Sequence, residues 1–167
     1  MGDDGSRGLQ LYESKGFVGS FKGCGMMDEL AVQMMFAEGF DCSQIVLSAV
    51  ADKLGISKEM ALSSASGLGI GLCRGSVCGA ALGGIVALGI RYGNTRSGDM
   101  IAKSDVFAKR EEFLKRFEEM NGKLLCKDFL GVEVKGLDDM IRRSADGIYS
   151  NCPRYCVNAI TILESML

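Results

Sequence analysis

The chain has 167 residues, 47% of them apolar and 24% charged, with a formal net charge of -2. These values fit one globular domain, exclude wholesale disorder, and give no electrostatic reason to expect nucleic acid or an anionic membrane as partner. The complete absence of histidine excludes Ser-His-Asp and Cys-His catalysis within the chain, haem attachment through C-x-x-C-H, and Cys₂His₂ zinc sites.

Residues 1–25 are rich in glycine, serine and charge, carry no clear period, and read as a loosely ordered leader. They contain no apolar stretch of the secretory kind, which places the protein in the cytoplasm. The domain proper is expected over residues 26–167. Apolar residues at helical spacing in MDELAVQMMFAE predict a first helix, Met27 to Glu38. Asp41 is a good N-cap and Gln44, three residues on, completes a capping box, so CSQIVLSAVADKLG is a helix that stops at Gly55. Ser57 caps the next, KEMALSSAS.

The centre, GLGIGLCRGSVCGAALGGIVALGIRYGN, is unusual. Its first part holds too many glycines for a regular helix, each costing about 1 kcal/mol there. Its second part, from Ser76 to Tyr92, has helical length, no charge before Arg91, and a glycine- and alanine-rich composition suited to a central, closely packed helix. The uncharged run spans about 16 residues, short of the roughly 20 needed to cross a bilayer, so membrane insertion is not expected. A long amphipathic helix follows from Asp99 to Met120, with oppositely charged neighbours in KREEFLKRFEEM. Asn121-Gly122 stops it. Short helices in LLCKDFLG and LDDMIRRSADGIYS precede a last one in CPRYCVNAITILESML, where Pro153 stands just inside the start. The fold expected is all-α, a single-domain bundle of about seven helical pieces around the glycine- and alanine-rich helix.

Seven cysteines remain, at positions 24, 42, 73, 78, 126, 152 and 156. In a reducing compartment they read as metal-binding, catalytic or buried rather than as a disulfide framework, and their odd number agrees. Cys42, Cys78 and Cys152 each fall at a predicted helix start, where free N–H groups and the macrodipole favour a thiolate. Cys126 lies in a short helix. Cys156 follows Cys152 by one turn and shares its face. Gly79 clears space beside Cys78, whereas Gly83 and Gly84 suit simple helix packing. Arg74, in the turn before Cys78, is a candidate cation for thiolates or an anionic cluster.

These residues carry a resemblance. GFDCSQIVL with Cys42, SASGLGIGLCRGSVCGAALG with Cys78, NGKLLCKDFLG with Cys126 and CPRYCVNAITILESML with Cys152 keep the order of a family of redox-active proteins defined by four cysteines and a CGAxxG motif. The resemblance runs from about Met27 to the C-terminus. It implies a redox role, and a related domain in split-Soret cytochromes is associated with an iron–sulfur centre. Cys24, Cys73 and Cys156 stand outside the four-cysteine pattern.

Three functions compete. Cys42, Cys78, Cys126 and Cys152 suit an iron–sulfur cluster for electron transfer, with Gly79 and Arg74 beside it, or less well a structural zinc. Soft sulfur ligation disfavours magnesium and calcium. Alternatively, Cys78 with a lowered pKa is a thiol–disulfide nucleophile resolved by a second cysteine, although the chain has no C-x-x-C. The third is a non-catalytic helical module with buried cysteines. On the first two readings the chain is an oxidoreductase or an electron-transfer component. The redox partner is not legible from the sequence, and the composition is compatible with a homodimer.

Overall fold

The computed structural model describes residues 27–167. The expected leader, residues 1–25, and Cys24 lie outside the described residues. In chain order the helices are α1 (Glu29–Ala37), α2 (Cys42–Ala49), α3 (Ala51–Leu54), α4 (Lys58–Ala65), a π-helical turn (Gly71–Gly75), α5 (Gly79–Tyr92), α6 (Met100–Asn121), α7 (Cys126–Leu130), α8 (Leu137–Ser144) and α9 (Cys152–Met166). The fold is all-α. The expected count of about seven is exceeded because Val50 (φ -109°, ψ 9°) breaks the second helix into α2 and α3, and because the glycine-rich segment coils into a turn of its own.

Local chemistry sets most of the boundaries. The Asp28 carboxylate accepts from the Ala31 N–H at the start of α1. At α2, the Asp41 carboxylate accepts from the Ser43 and Gln44 N–H groups while the Asp41 N–H donates to the Gln44 side chain, a complete capping box. Ser57 caps α4 and Asp99 caps α6. Gly122, at φ 77°, ends α6 in the left-handed conformation that glycine adopts without steric cost.

α5 is the hub, packing on α2, α6 and α9. Its small residues allow this. A β-carbon at Gly83 would stand 2.6 Å from the Ser43 carbonyl oxygen of α2, and one at Gly84 would enter the Phe113 ring of α6. Gly83 and Gly84 are thus packing glycines. From Gly79 to Leu88 the helix is buried or half-buried, but Gly89, Ile90 and Arg91 emerge at its far end, so the burial expected of the segment holds for its cysteine end. Ile45, Leu47, Leu88, Phe113, Phe117, Ile162 and Leu163 fill the core. α4 is tied to α2 by the Ser43 hydroxyl donating to the Ala65 carbonyl and the Gln44 amide donating to the Leu62 carbonyl, both at 3.0 Å. Among the described residues, no helix is long and apolar enough to cross a membrane.

Candidate functional site

Four cysteines stand at four helix starts. Cys42, Cys126 and Cys152 are the first residues of α2, α7 and α9, and Cys78 is the N-cap of α5. The positions of Cys42 and Cys152 follow from capping and proline signals in the sequence. The start of α7 at Cys126 does not, because its N-cap is Leu125, whose side chain makes no capping bond.

Cys78 and Cys126 are brought together by a short antiparallel bridge between Val77 and Leu125. The Cys78 N–H donates to the Leu124 carbonyl at 2.9 Å, and the Cys126 N–H donates to the Ser76 carbonyl at 2.7 Å. One bridge therefore pins both cysteines by their own backbones. α7 is held under it by Phe129, whose ring meets Phe117 of α6 edge-on and lies 4.1 Å, centroid to centroid, from Tyr155 of α9.

The glycine-rich segment packs beside this pair. Ile70, Gly71, Leu72 and Cys73 all have positive φ, as does Gly75, so the π turn opens with a left-handed coil of the backbone. Non-glycine residues pay about 1–2 kcal/mol each for that conformation. The turn lies so near α7 that a β-carbon at Gly71 would come within 2.9 Å of the Cys126 Cβ. At its entry, the Ile70 N–H faces the Cys42 sulfur. Gly79 also borders Cys42, since a β-carbon there would stand 2.9 Å from the Cys42 sulfur. Gly79 thus clears space around the Cys42 sulfur.

Cys42, Cys126 and Cys152 line one cavity of about 510 Å³, together with Phe36, Phe40, Ile70, Met140, Ile141 and Tyr149. Cys78 and Cys156 are buried alongside. The Cys156 thiol lies 3.9 Å from the Cys42 carbonyl oxygen. Among the described residues, no three Cys, Asp or Glu side chains are drawn together closely enough to hold a single metal ion. The sulfurs share a neighbourhood and do not meet at one point.

Burial, followed by the charge of a neighbouring cysteine, pushes the Cys42 thiol up to about 12. Cys78 rises to about 11 because burial outweighs the Ala80 and Ala81 N–H groups that face its sulfur. Cys126 rises to about 12 through burial and the charges of Cys42 and Cys73. Cys152 and Cys156 are pushed up as well, again by burial first and by Cys42 next. Burial in this fold therefore opposes the lowered pKa expected at Cys78. Desolvation costs the thiolate more than the helix start returns. Arg74 stands exposed in the π turn, and the charges acting on these thiols are those of one another, of Cys73 and of Asp41.

The sequence was compared with known protein families, curated proteins and solved structures. Residues 40–166 match the family model described as "Putative redox-active protein (C_GCAxxG_C_C)". The chain belongs to this redox-active family. The matched stretch contains every cysteine of the described residues and leaves Cys24 and α1 outside it; within it, this chain reads Cys78-Gly79-Ala80, with the cysteine ahead of the glycine. No curated protein matches the chain, and no solved structure matches it.

Proposed function

We propose that this member of the C_GCAxxG_C_C family carries a multi-iron iron–sulfur cluster, bound by Cys42, Cys78, Cys126 and Cys152, and serves electron transfer. The observation that carries this reading is that Cys42, Cys126 and Cys152, each at the start of its own helix, line one cavity, with Cys78 buried alongside and no cation among the groups acting on these thiols. Thiols in that setting are poor nucleophiles, because burial keeps them protonated at neutral pH. They are good ligands, since metal binding displaces the thiol protons and supplies the missing positive charge.

The donor set fits such a group. It is all sulfur, with no histidine in the chain, which is the usual ligation of [2Fe–2S] and [4Fe–4S] centres. A single tetrahedral zinc fits less well, because it would need every sulfur within about 2.3 Å of one ion, and no such grouping stands ready among the described residues. Sulfurs spread around a cavity of about 510 Å³ suit a group that is itself several atoms across. When bound, the cluster would supply reversible one-electron transfer.

The chain's own residues supply the rest. The Ile70 N–H on Cys42 and the Ala80 and Ala81 N–H groups on Cys78 favour charged sulfur. Hydrogen bonds of that kind tune cluster potentials. Gly71 and Gly79 keep side-chain bulk away from Cys126 and Cys42. Phe36, Phe40, Met140 and Ile141 line the cavity with apolar surface that limits water.

The test is anaerobic purification followed by iron and acid-labile sulfide analysis, visible spectroscopy and electron paramagnetic resonance. Stoichiometric iron and sulfide with a reducible chromophore is the result expected. Protein that stays colourless and iron-free, even after anaerobic incubation with ferrous iron and sulfide, would overturn the reading.

A further inference from the structure

We infer that α8 is a lid over the cysteine cavity, hinged at Gly136 and Gly147 and latched by Tyr149; this does not depend on which group the cavity receives. Met140, Ile141 and Ser144 of α8 line the same cavity as Cys42, Cys126 and Cys152. The helix thus forms one wall of the space that the thiols border. Yet it takes no part in the helix pairings that build the bundle around α5, and Met140 is its only buried residue. Leu137 and Ile141 stand exposed. Its ion pairs, Asp139 with Arg142 and with Arg143, are internal to the helix. A helix with one buried side chain, and with its charges paired on itself, opens at a lower free-energy cost than the core does.

The backbone is free to turn at both ends of α8. Gly136 has φ 104° and Gly147 has φ 70°, conformations that residues with side chains rarely adopt. A β-carbon at either would meet no neighbouring atom within 4 Å, so neither glycine serves close packing. Among the described residues, one side-chain hydrogen bond ties α8 to the chain beyond Gly147. The Tyr149 hydroxyl donates to the Met140 carbonyl at 3.2 Å, while the Tyr149 carbonyl accepts from the Cys152 N–H at 2.9 Å. Tyr149 also lines the cavity. It is a post anchored at the start of α9 that reaches back to the middle of the lid. Breaking that one bond and withdrawing Met140 lets α8 swing on its glycines and bare the thiols, with α2, α5 and α9 left in place. Closed, the lid keeps water from the cavity; open, it admits a reagent or a partner.

Two readouts test this on the full-length chain. Hydrogen exchange with mass spectrometry, on reduced protein as purified, compares peptides covering residues 137–144 with those covering α5. Maleimide labelling resolved by cysteine, after chelator treatment and with far-ultraviolet circular dichroism showing the same helix content, compares Cys152 with Cys156, which is fully buried and outside the cavity lining. In the wild type the α8 amides should exchange about tenfold or more faster than those of α5, and Cys152 should label faster than Cys156. Tyr149→Phe keeps the ring and removes the latch. It should raise α8 exchange and Cys152 labelling together by about fivefold, the shift in opening expected when one hydrogen bond is lost. Cys156 labelling and the melting temperature should not change. Met140→Ala, which removes the buried anchor, should raise the same two rates further. Amides of α8 as protected as those of α5 overturn the inference. So does Tyr149→Phe quickening α8 exchange without quickening Cys152, because the helix then moves without uncovering the cavity. Wild-type Cys152 labelling as fast as in urea means the cavity is already open, and a joint rise at Cys152 and Cys156 with a lowered melting temperature means the whole domain unfolds; either result removes the lid.

Discussion

The Cys42 sulfur occupies the space that a side chain on Gly79 would need, 2.9 Å from where its β-carbon would begin. The two residues come from different helices, α2 and α5, and the contact sets how closely those helices approach at the cysteine end. The helix-packing glycines Gly83 and Gly84 lie further along α5, against Ser43 and Phe113. One small-residue helix thus serves two purposes in sequence, sulfur clearance first and helix packing after it.

Gly79→Ala should therefore act on the site more than on the fold. Overpacking costs about 1–3 kcal/mol at a core position, and here the strain falls on Cys42. We expect iron content to drop severalfold while the melting temperature falls by only a few degrees. Gly84→Ala, which drives a methyl into the Phe113 ring, should show the opposite balance, with a large loss of melting temperature. Parallel iron analysis and thermal melting of the two variants check this. Equal effects of both on iron would contradict the separation of roles.

The pH dependence of the metal-free protein follows from the raised thiols. Cys42, Cys78 and Cys126 stand at about 12, 11 and 12 in the fold, against an ordinary value of 9.0. Between those limits the unfolded chain loses thiol protons that the folded chain keeps, so folding stability falls as pH rises. Urea midpoints measured under reducing conditions should be flat from pH 7 to about 8.5 and decline steadily above it. A stability that rises through that interval would mean the thiols are ionised in the folded state.

Leu72 is half exposed and holds φ 61° in the left-handed coil before α5. Its side chain contributes little burial there, while its backbone pays for a conformation that glycine adopts freely. Leu72→Gly should raise stability by about 1 kcal/mol, read as a shift in the urea midpoint with unchanged slope. A loss of stability would show that the exposed leucine makes contacts worth more than the strain.

Much of this molecule is written locally. The capping box at Asp41, the caps at Ser57 and Asp99, the glycine stop at Gly122 and the proline inside α9 are interactions between residues three or four apart. They set the all-α class and put Cys42 and Cys152 at helix starts, and the matching cysteine contexts pointed to the family before any fold was known. The small residues of α5 likewise announced a crowded centre, because only a helix packed on several sides has use for so many.

What depended on the tertiary structure was everything set by residues far apart in the chain. The Val77–Leu125 bridge joins Cys78 to Cys126 across nearly fifty positions, and neither segment alone has the alternation that would announce a strand. The same is true of Gly79, whose partner proved to be Cys42. The direction of the thiol shifts also had to come from the fold. A helix start favours a thiolate through its nearest N–H groups, which the sequence reveals, whereas desolvation depends on how many distant atoms close over the sulfur. Burial is a sum over the whole chain, and at Cys78 it outweighs the nearby N–H groups.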